Sequence, residues 1–267
     1  MEKDYALKFY SYSLHSSCSL CNGKEAPKDS PVIIYISHEG TELSGEKIFK
    51  RIKEENIKEG NIKEENIKEG NIKEEGIKES DINEKLQGLY LCEILVHDWD
   101  SMLTPWRVEN CLKDRSFSGQ APKLLHQIET EVLPIINEKW SEHGEVIMAG
   151  YSLGGLFSLW SLYESSLLDG AVCCSGSLWY PGFEEYMTRM SFDRNVSIYL
   201  SLGKKEAGGK NPVLSKVGDI TTLQYELLLQ NEKVDYVIFQ WNEGGHFSDP
   251  EGRIVKGIQC ILNRKRL

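Results

Sequence analysis

The sequence predicts an α/β fold, a mostly parallel central sheet with helices on both faces, and three observations carry that expectation. Apolar runs of strand length alternate with helical stretches through the second half of the 267-residue chain, the pattern of βα units whose strands run parallel. One junction passes directly from an apolar strand into an apolar helix: Glu145-Val146-Ile147-Met148-Ala149, then Gly150-Tyr151-Ser152-Leu153-Gly154-Gly155, then Leu156 to Tyr163. The chain is also long enough to bury a substantial core, and its composition is ordinary for a globular protein outside one biased stretch. A single domain spanning residues 1–267, with an insertion at 53–80, is therefore expected.

Tyr5 to Ser13 is aromatic and roughly alternating, which fits an edge strand. His15-x-x-Cys18-x-x-Cys21 follows in a Ser-rich loop. A zinc site would need a fourth ligand, and no second close-spaced pair exists; a redox pair would sit at a helix start. The segment reads as a loop with unpaired thiols. Pro31 to Ser37 is a β-branched apolar run and a central strand, ending in His38-Glu39-Gly40-Thr41 before a helix from Gly45 to Glu55. Leu89 to His97 is the next strand, followed by an aromatic and acidic loop from His97 to Trp106. Ala121 to Trp140 has helical periodicity, with Pro134 expected to kink or split it. Beyond the Ser152 junction, strands are expected at Leu168 to Ser177, Val196 to Leu202 and Val234 to Trp241. Cys173 and Cys174 fall in the first of these, as core residues. Helices are expected from about Pro212 to Gln230 and Pro250 to Asn263.

Lys53 to Ser80 is the biased stretch, alternating Asn-Ile-Lys-Glu-Gly with Asn-Ile-Lys-Glu-Glu. On a helix a step of five residues turns each isoleucine by about 140°, so no apolar stripe forms. The Glu-to-Lys i,i+4 pairs are each worth roughly 0.2–0.5 kcal/mol. Gly60, Gly70 and Gly76 each cost about 1 kcal/mol. The contributions nearly cancel, so a solvated, marginally helical insertion is expected, with a partner-binding arm as the functional alternative.

A net charge of −10 argues against nucleic acid and against anionic membranes. No run approaches a membrane span, and the first residues lack a signal-peptide core. Seven scattered cysteines do not form a disulfide framework, so a reduced, cytoplasmic setting is expected. Oligomeric state stays open.

The chemistry centres on Gly150-x-Ser152-x-Gly154 between strand and helix. A sharp turn there lifts the serine hydroxyl clear of the sheet, and glycines flank it where a Cβ would collide. The amide of Leu153 would face a developing oxyanion, with that of Thr41 as second donor. A serine hydroxyl needs an imidazole to take its proton, and the imidazole needs a carboxylate to hold its tautomer. Of the six histidines only His246 lies at the end of a late strand; His15, His38, His97, His126 and His143 all precede the serine. Glu206 follows the intervening strand and is the favoured acid, with Asp219, Asp193 and Asp249 as alternatives. The order Ser152, Glu206, His246 is that of α/β-hydrolases. Trp99, Trp106, Trp179 and Tyr180, beyond strand ends, are candidate pocket walls for an aromatic or flat ester. No metal and no cofactor is called for.

Three stretches resemble the esterase family of α/β-hydrolases that includes siderophore (enterobactin-type) esterases, S-formylglutathione hydrolase and mycolyltransferases. They are Asp98-Trp99 with Leu103-Thr104-Pro105-Trp106, then Gly150 to Gly155 followed by Ser175-Gly176-Ser177-Leu178-Trp179, and Gly203-Lys204-Lys205-Glu206 with Gly245-His246. The resemblance spans about residues 31–262 without the repeat, and its nearest counterparts are small bacterial cytoplasmic members. It implies Ser152 as nucleophile, His246 as base and Glu206 as acid. The sequence departs from the family in the repeat and in lacking a recognisable lid. Hydrolysis of a small-molecule carboxylic ester through an acyl-enzyme is the expectation. The alternatives are acyl transfer to an alcohol, and a non-catalytic binding module that uses the repeat as its arm.

Overall fold

The computed structural model describes residues 4–13, 26–55, 88–112, 115–208 and 211–264. The His15/Cys18/Cys21 loop and the repeat beyond Glu55 lie outside these residues. Seven strands form one sheet: β1 (Tyr5–Ser13), β2 (Val32–His38), β3 (Gly88–Val96), β6 (Val146–Tyr151), β7 (Gly170–Cys174), β8 (Val196–Gly203) and β9 (Val234–Asn242). Their order is β1-β3-β2-β6-β7-β8-β9. Only β1 runs antiparallel, at one edge against β3; every other pair is parallel. Two further strands, β4 (Val108–Leu112) and β5 (Arg115–Phe117), pair as a separate ribbon.

Alternation along each strand divides the core into two layers, because successive side chains leave the sheet on opposite faces. On β2, Val32, Ile34 and Ile36 join one cluster while Ile33 and Tyr35 join the other. On β6 the split is Val146 and Met148 against Ile147, Ala149 and Tyr151. The first face is covered by α3 (Ala121–Gln127), α4 (Leu133–Lys139), α5 (Leu153–Glu164), α6 (Phe183–Met187) and α7 (Val217–Leu229). The second is covered by helix α1 (45–55), through Ile48 and Ile52, and by α8 (Pro250–Leu262). Strands buried on both sides explain why their sequences are continuous apolar runs rather than alternating ones.

Two local departures have clear causes. The expected helix from Ala121 to Trp140 is interrupted by a π-helical turn over Ile128–Val132, where the Leu133 N–H donates to the Ile128 carbonyl. Pro134 has no N–H to continue an α-helical ladder, and the wider turn absorbs that gap. The expected loop around Trp99 contains the short helix α2 (Trp99–Met102), capped by the Asp98 carboxylate on the Ser101 N–H at 3.1 Å. An N-capping Asp gives one of the orphan amides of a first turn its acceptor. Cys173 and Cys174 are buried free thiols as expected, and burial pushes Cys174 up to about 12.

The crossovers diverge between β2 and β6. From β2 the chain steps outward to β3 on one side, then crosses back over β2 to β6 and steps on to β7, β8 and β9 on the other. Beyond the carboxyl ends of such a pair lies the crevice where ligands bind in open α/β sheets.

Helix α8 lies unusually close to the sheet at Gly257. A Cβ there would stand 2.6 Å from Val172 Cγ1 and 2.7 Å from the Tyr199 ring, both fully buried. Gly257→Val recovers only about 0.3 kcal/mol of helix propensity and overpacks the site by about 1–3 kcal/mol. The expected result is a lower urea midpoint; an unchanged midpoint would contradict this close approach.

Candidate active site

Ser152 stands between β6 and α5 with φ 58° and ψ −121°, a left-handed backbone that a side chain rarely adopts. Its neighbours enforce it. A Cβ on Gly150 would lie 2.3 Å from the Gly154 carbonyl, so strand and helix can meet this closely only without one. Gly154 instead leaves room for the Trp99 ring, 3.2 Å from where its Cβ would be, while a Cβ on Gly155 would stand 3.1 Å from the Cys174 carbonyl. The Ser152 N–H donates to the Cys174 carbonyl at 3.0 Å, and its own carbonyl accepts from the Ser177 N–H at 3.0 Å.

His246 and Glu206 reach this serine from the ends of β9 and β8. His246 Nε2 is 3.1 Å from Ser152 Oγ, and Nδ1 is 2.7 Å from Glu206 Oε2. The other oxygen, Glu206 Oε1, accepts from the Gly203 N–H at 2.7 Å, Ser175 Oγ at 2.8 Å and Arg253 Nη1 at 3.1 Å. The Glu206 side chain is only 7% exposed. Burial alone would raise its pKa, but hydrogen bonds from His246, Ser175 and Gly203 and the charge of the imidazole hold it below the usual carboxylate range. The three alternative acids stand elsewhere: Asp219 in the first turn of α7, Asp193 on Arg194 at 3.1 Å, and Asp249 capping α8 through the Gly252 N–H.

The Leu153 N–H belongs to the first turn of α5, where amides have no acceptor within the helix. Thr41 is a correction. Its N–H closes a tight turn on the His38 carbonyl at 3.2 Å, with Gly40 at φ 78°, so that amide is already engaged. Thr41 lies on the wall of the site, but the second donor assigned to it does not hold.

A cleft of about 1110 Å³ opens over Ser152 and His246. Trp99 and Trp179 line it. Trp106 and Tyr180 do not; they stitch two loops together beneath it. Trp106 Nε1 donates to the Pro181 carbonyl at 2.8 Å, and the Tyr180 hydroxyl donates to the Trp106 carbonyl at 2.6 Å. Tyr180 is 1% exposed and belongs to the core. Reading the sequence missed the β4–β5 ribbon, which contributes Leu112, Arg115 and Phe117 to the wall. It is anchored by Arg115 on the Asp100 carboxylate at 3.0 and 2.7 Å. Such a short, charged ribbon carries little periodic signal. Phe247, beside His246 and 89% exposed, also went unnoticed. No group of His, Cys, Asp and Glu among the described residues could hold a metal ion. No helix among them is long and apolar enough to cross a membrane.

Neither a protein-family profile nor a curated relative matches the sequence. Solved structures do match. Siderophore hydrolase EstA from Aspergillus nidulans superposes with a TM-score of 0.67 at 16% identity, over 97% of this chain and 90% of that one. Siderophore hydrolase EstB from the same organism gives 0.65 at 16%, over 96% and 89%. An IroE-like serine hydrolase from Shewanella oneidensis gives 0.62 at 16%, over 94% and 79%. With the sheet order above, these likenesses give the chain the α/β-hydrolase fold.

The lowered Glu206 pKa has a consequence for stability. A carboxyl held below its unfolded value of about 4.3 stabilises the fold above that pH, and the contribution fades as pH falls through the lower folded value. The difference in urea midpoint between wild type and Glu206→Gln should therefore shrink steadily between about pH 5 and pH 3. A difference constant across that range would show that the carboxylate gains nothing from its donors.

Proposed function

We propose that the protein is a serine hydrolase that cleaves carboxylic esters through an acyl-enzyme. The observation that carries this is the relay from Ser152 Oγ to His246 Nε2 at 3.1 Å and from His246 Nδ1 to Glu206 Oε2 at 2.7 Å. Glu206 accepts the Nδ1–H, which leaves Nε2 as the acceptor facing the serine. In the first half-reaction Ser152 Oγ attacks the ester carbonyl while Nε2 takes its proton. The tetrahedral oxyanion is met by the Leu153 N–H, and the imidazolium then returns the proton to the departing alcohol. In the second, a water attacks the acyl-enzyme, gives its proton to Nε2, and the acid leaves as Ser152 Oγ is reprotonated. The buried Glu206 carboxylate stabilises the imidazolium in both halves without itself taking the proton.

The substrate is proposed to be a bulky ester. The cleft volume sits at the upper end of small-molecule sites, its lining is mostly apolar, and Trp99 and Trp179 offer flat surfaces. The names of EstA and EstB make siderophore esters sensible first probes beside p-nitrophenyl esters.

A fluorophosphonate probe should label the wild-type protein and fail to label Ser152→Ala. Turnover of p-nitrophenyl butyrate should fall by about 10⁴–10⁶ in Ser152→Ala and His246→Ala. Labelling that survives in Ser152→Ala would remove this serine as the nucleophile.

A further inference from the structure

Arg253 is a cation the relay above does not use, and it lies 3% exposed on the first turns of α8. Every bond its side chain makes is to the site. Nη1 donates to Glu206 Oε1 at 3.1 Å, to Ser175 Oγ at 2.8 Å and to the Tyr151 hydroxyl at 3.2 Å. Nη2 donates to the carbonyls of Glu243 at 3.2 Å and Gly245 at 3.0 Å. The Tyr151 hydroxyl in turn donates to the carbonyl of His246 at 2.6 Å. Burial pushes that phenol up to about 12, so it remains a donor across the neutral range. Three carbonyls of the loop that presents the imidazole, at 243, 245 and 246, thus hang directly or through Tyr151 on one guanidinium. The same guanidinium occupies Glu206 Oε1 and leaves Oε2 for His246.

We propose that Arg253 is a positioning residue that sets the distance between the His246 loop and Glu206. Other bonds also hold this loop, the Lys205 N–H on the Gly244 carbonyl at 3.0 Å and the Gly245 N–H on the Ser248 hydroxyl at 3.0 Å, but Arg253 bridges its carbonyls to the Glu206 carboxylate itself. Between β9 and α8 the loop turns through Gly244 at φ 85° and Gly245, and Phe247 at its tip is exposed to solvent. A buried guanidinium is costly unless its donors are used, and here both Nη atoms are spent on one carboxylate and on loop carbonyls. A planar fork with fixed donors holds such groups at set separations, which a lysine ammonium at the end of a flexible stem does not. Helix α8, clamped to the sheet at Gly257, is the rigid element that carries it.

The kinetic arm of the test rests on the hydrolase reading, and a spectroscopic arm does not. Arg253→Met keeps much of the buried volume without the donors, and Arg253→Lys keeps the charge without the fork. If the inference holds, both folded variants turn over p-nitrophenyl butyrate about 10²-fold more slowly, the loss expected from roughly 1 Å of misplacement. KM should stay unchanged, because Arg253 does not line the cleft. Independently of turnover, the low-field proton resonance of His246 Nδ1–H, assigned by its loss in His246→Ala, should weaken or move upfield in both variants. A general loss of stability would lower the unfolding midpoint without separating kcat from KM. Wild-type turnover and an unchanged resonance in either folded variant would overturn the proposal, and Arg253→Lys alone decides if Arg253→Met does not fold. A resonance that moves in a protein showing no ester turnover would support the positioning role while removing the hydrolase reading.

Discussion

The carboxyl edge of the sheet depends on one backbone contact, the passage of Gly150 against Gly154 with no Cβ between them. That contact lets the chain leave β6 and enter α5 within a single residue, so Ser152 must take the left-handed conformation. Backbone strain of this kind costs of order 1–3 kcal/mol and survives only where surrounding bonds over-determine it. Here the neighbouring strand and the loop after it supply them, the Cys174 carbonyl holding the Ser152 N–H and the Ser177 N–H its carbonyl. The nucleophile candidate is therefore placed by main chain, and its side chain is left free for His246.

The same device recurs one strand further along. The Ser175 N–H, just past β7, donates to the Ser201 carbonyl of β8 at 2.7 Å, and Ser175 again has a positive φ of 44°. At the end of β8 the Lys204 N–H donates to the Asn242 carbonyl of β9 at 2.9 Å. Each strand end is thus pinned to the next in a staircase running from Ser152 toward the His246 loop. Ser175 occupies the middle step, and its hydroxyl bridges Arg253 and Glu206. Residues almost a hundred positions apart in sequence meet because each link in this staircase fixes the height of the next.

What the sequence made legible follows from how local the cause is. The strands were readable because both faces of the sheet are covered, so apolar residues run without interruption through Ile33 to Ile36 and Ile147 to Ala149. The Ser152 turn was readable because its tightest constraint, Gly150 against the Gly154 carbonyl, lies within five residues. The placement of Glu206 and His246 beside Ser152 was readable from chain order and strand ends. Thr41 failed because its amide is consumed by a turn on His38, a matter of ψ angles that residue types do not encode. Trp106 and Tyr180 failed for a different reason: large aromatic residues near a site serve equally as wall or as plug, and only tertiary packing decides. Arg253 gave no signal, since an arginine in an amphipathic helix ordinarily faces solvent.

That last case separates two ways in which a buried cation can serve a carboxylate. Were Arg253 needed mainly to keep Glu206 ionised, the carboxylate would have few other donors. In fact Oε1 also accepts from the Gly203 N–H and Ser175 Oγ, Oε2 is occupied by His246, and these bonds hold the acid below its ordinary range against the pull of burial. The carbonyls of Glu243 and Gly245, by contrast, are held by the guanidinium in a loop that turns through two glycines. The cation's greater effect thus falls on geometry rather than on charge. It works by joining the His246 loop to a helix that the sheet itself holds still.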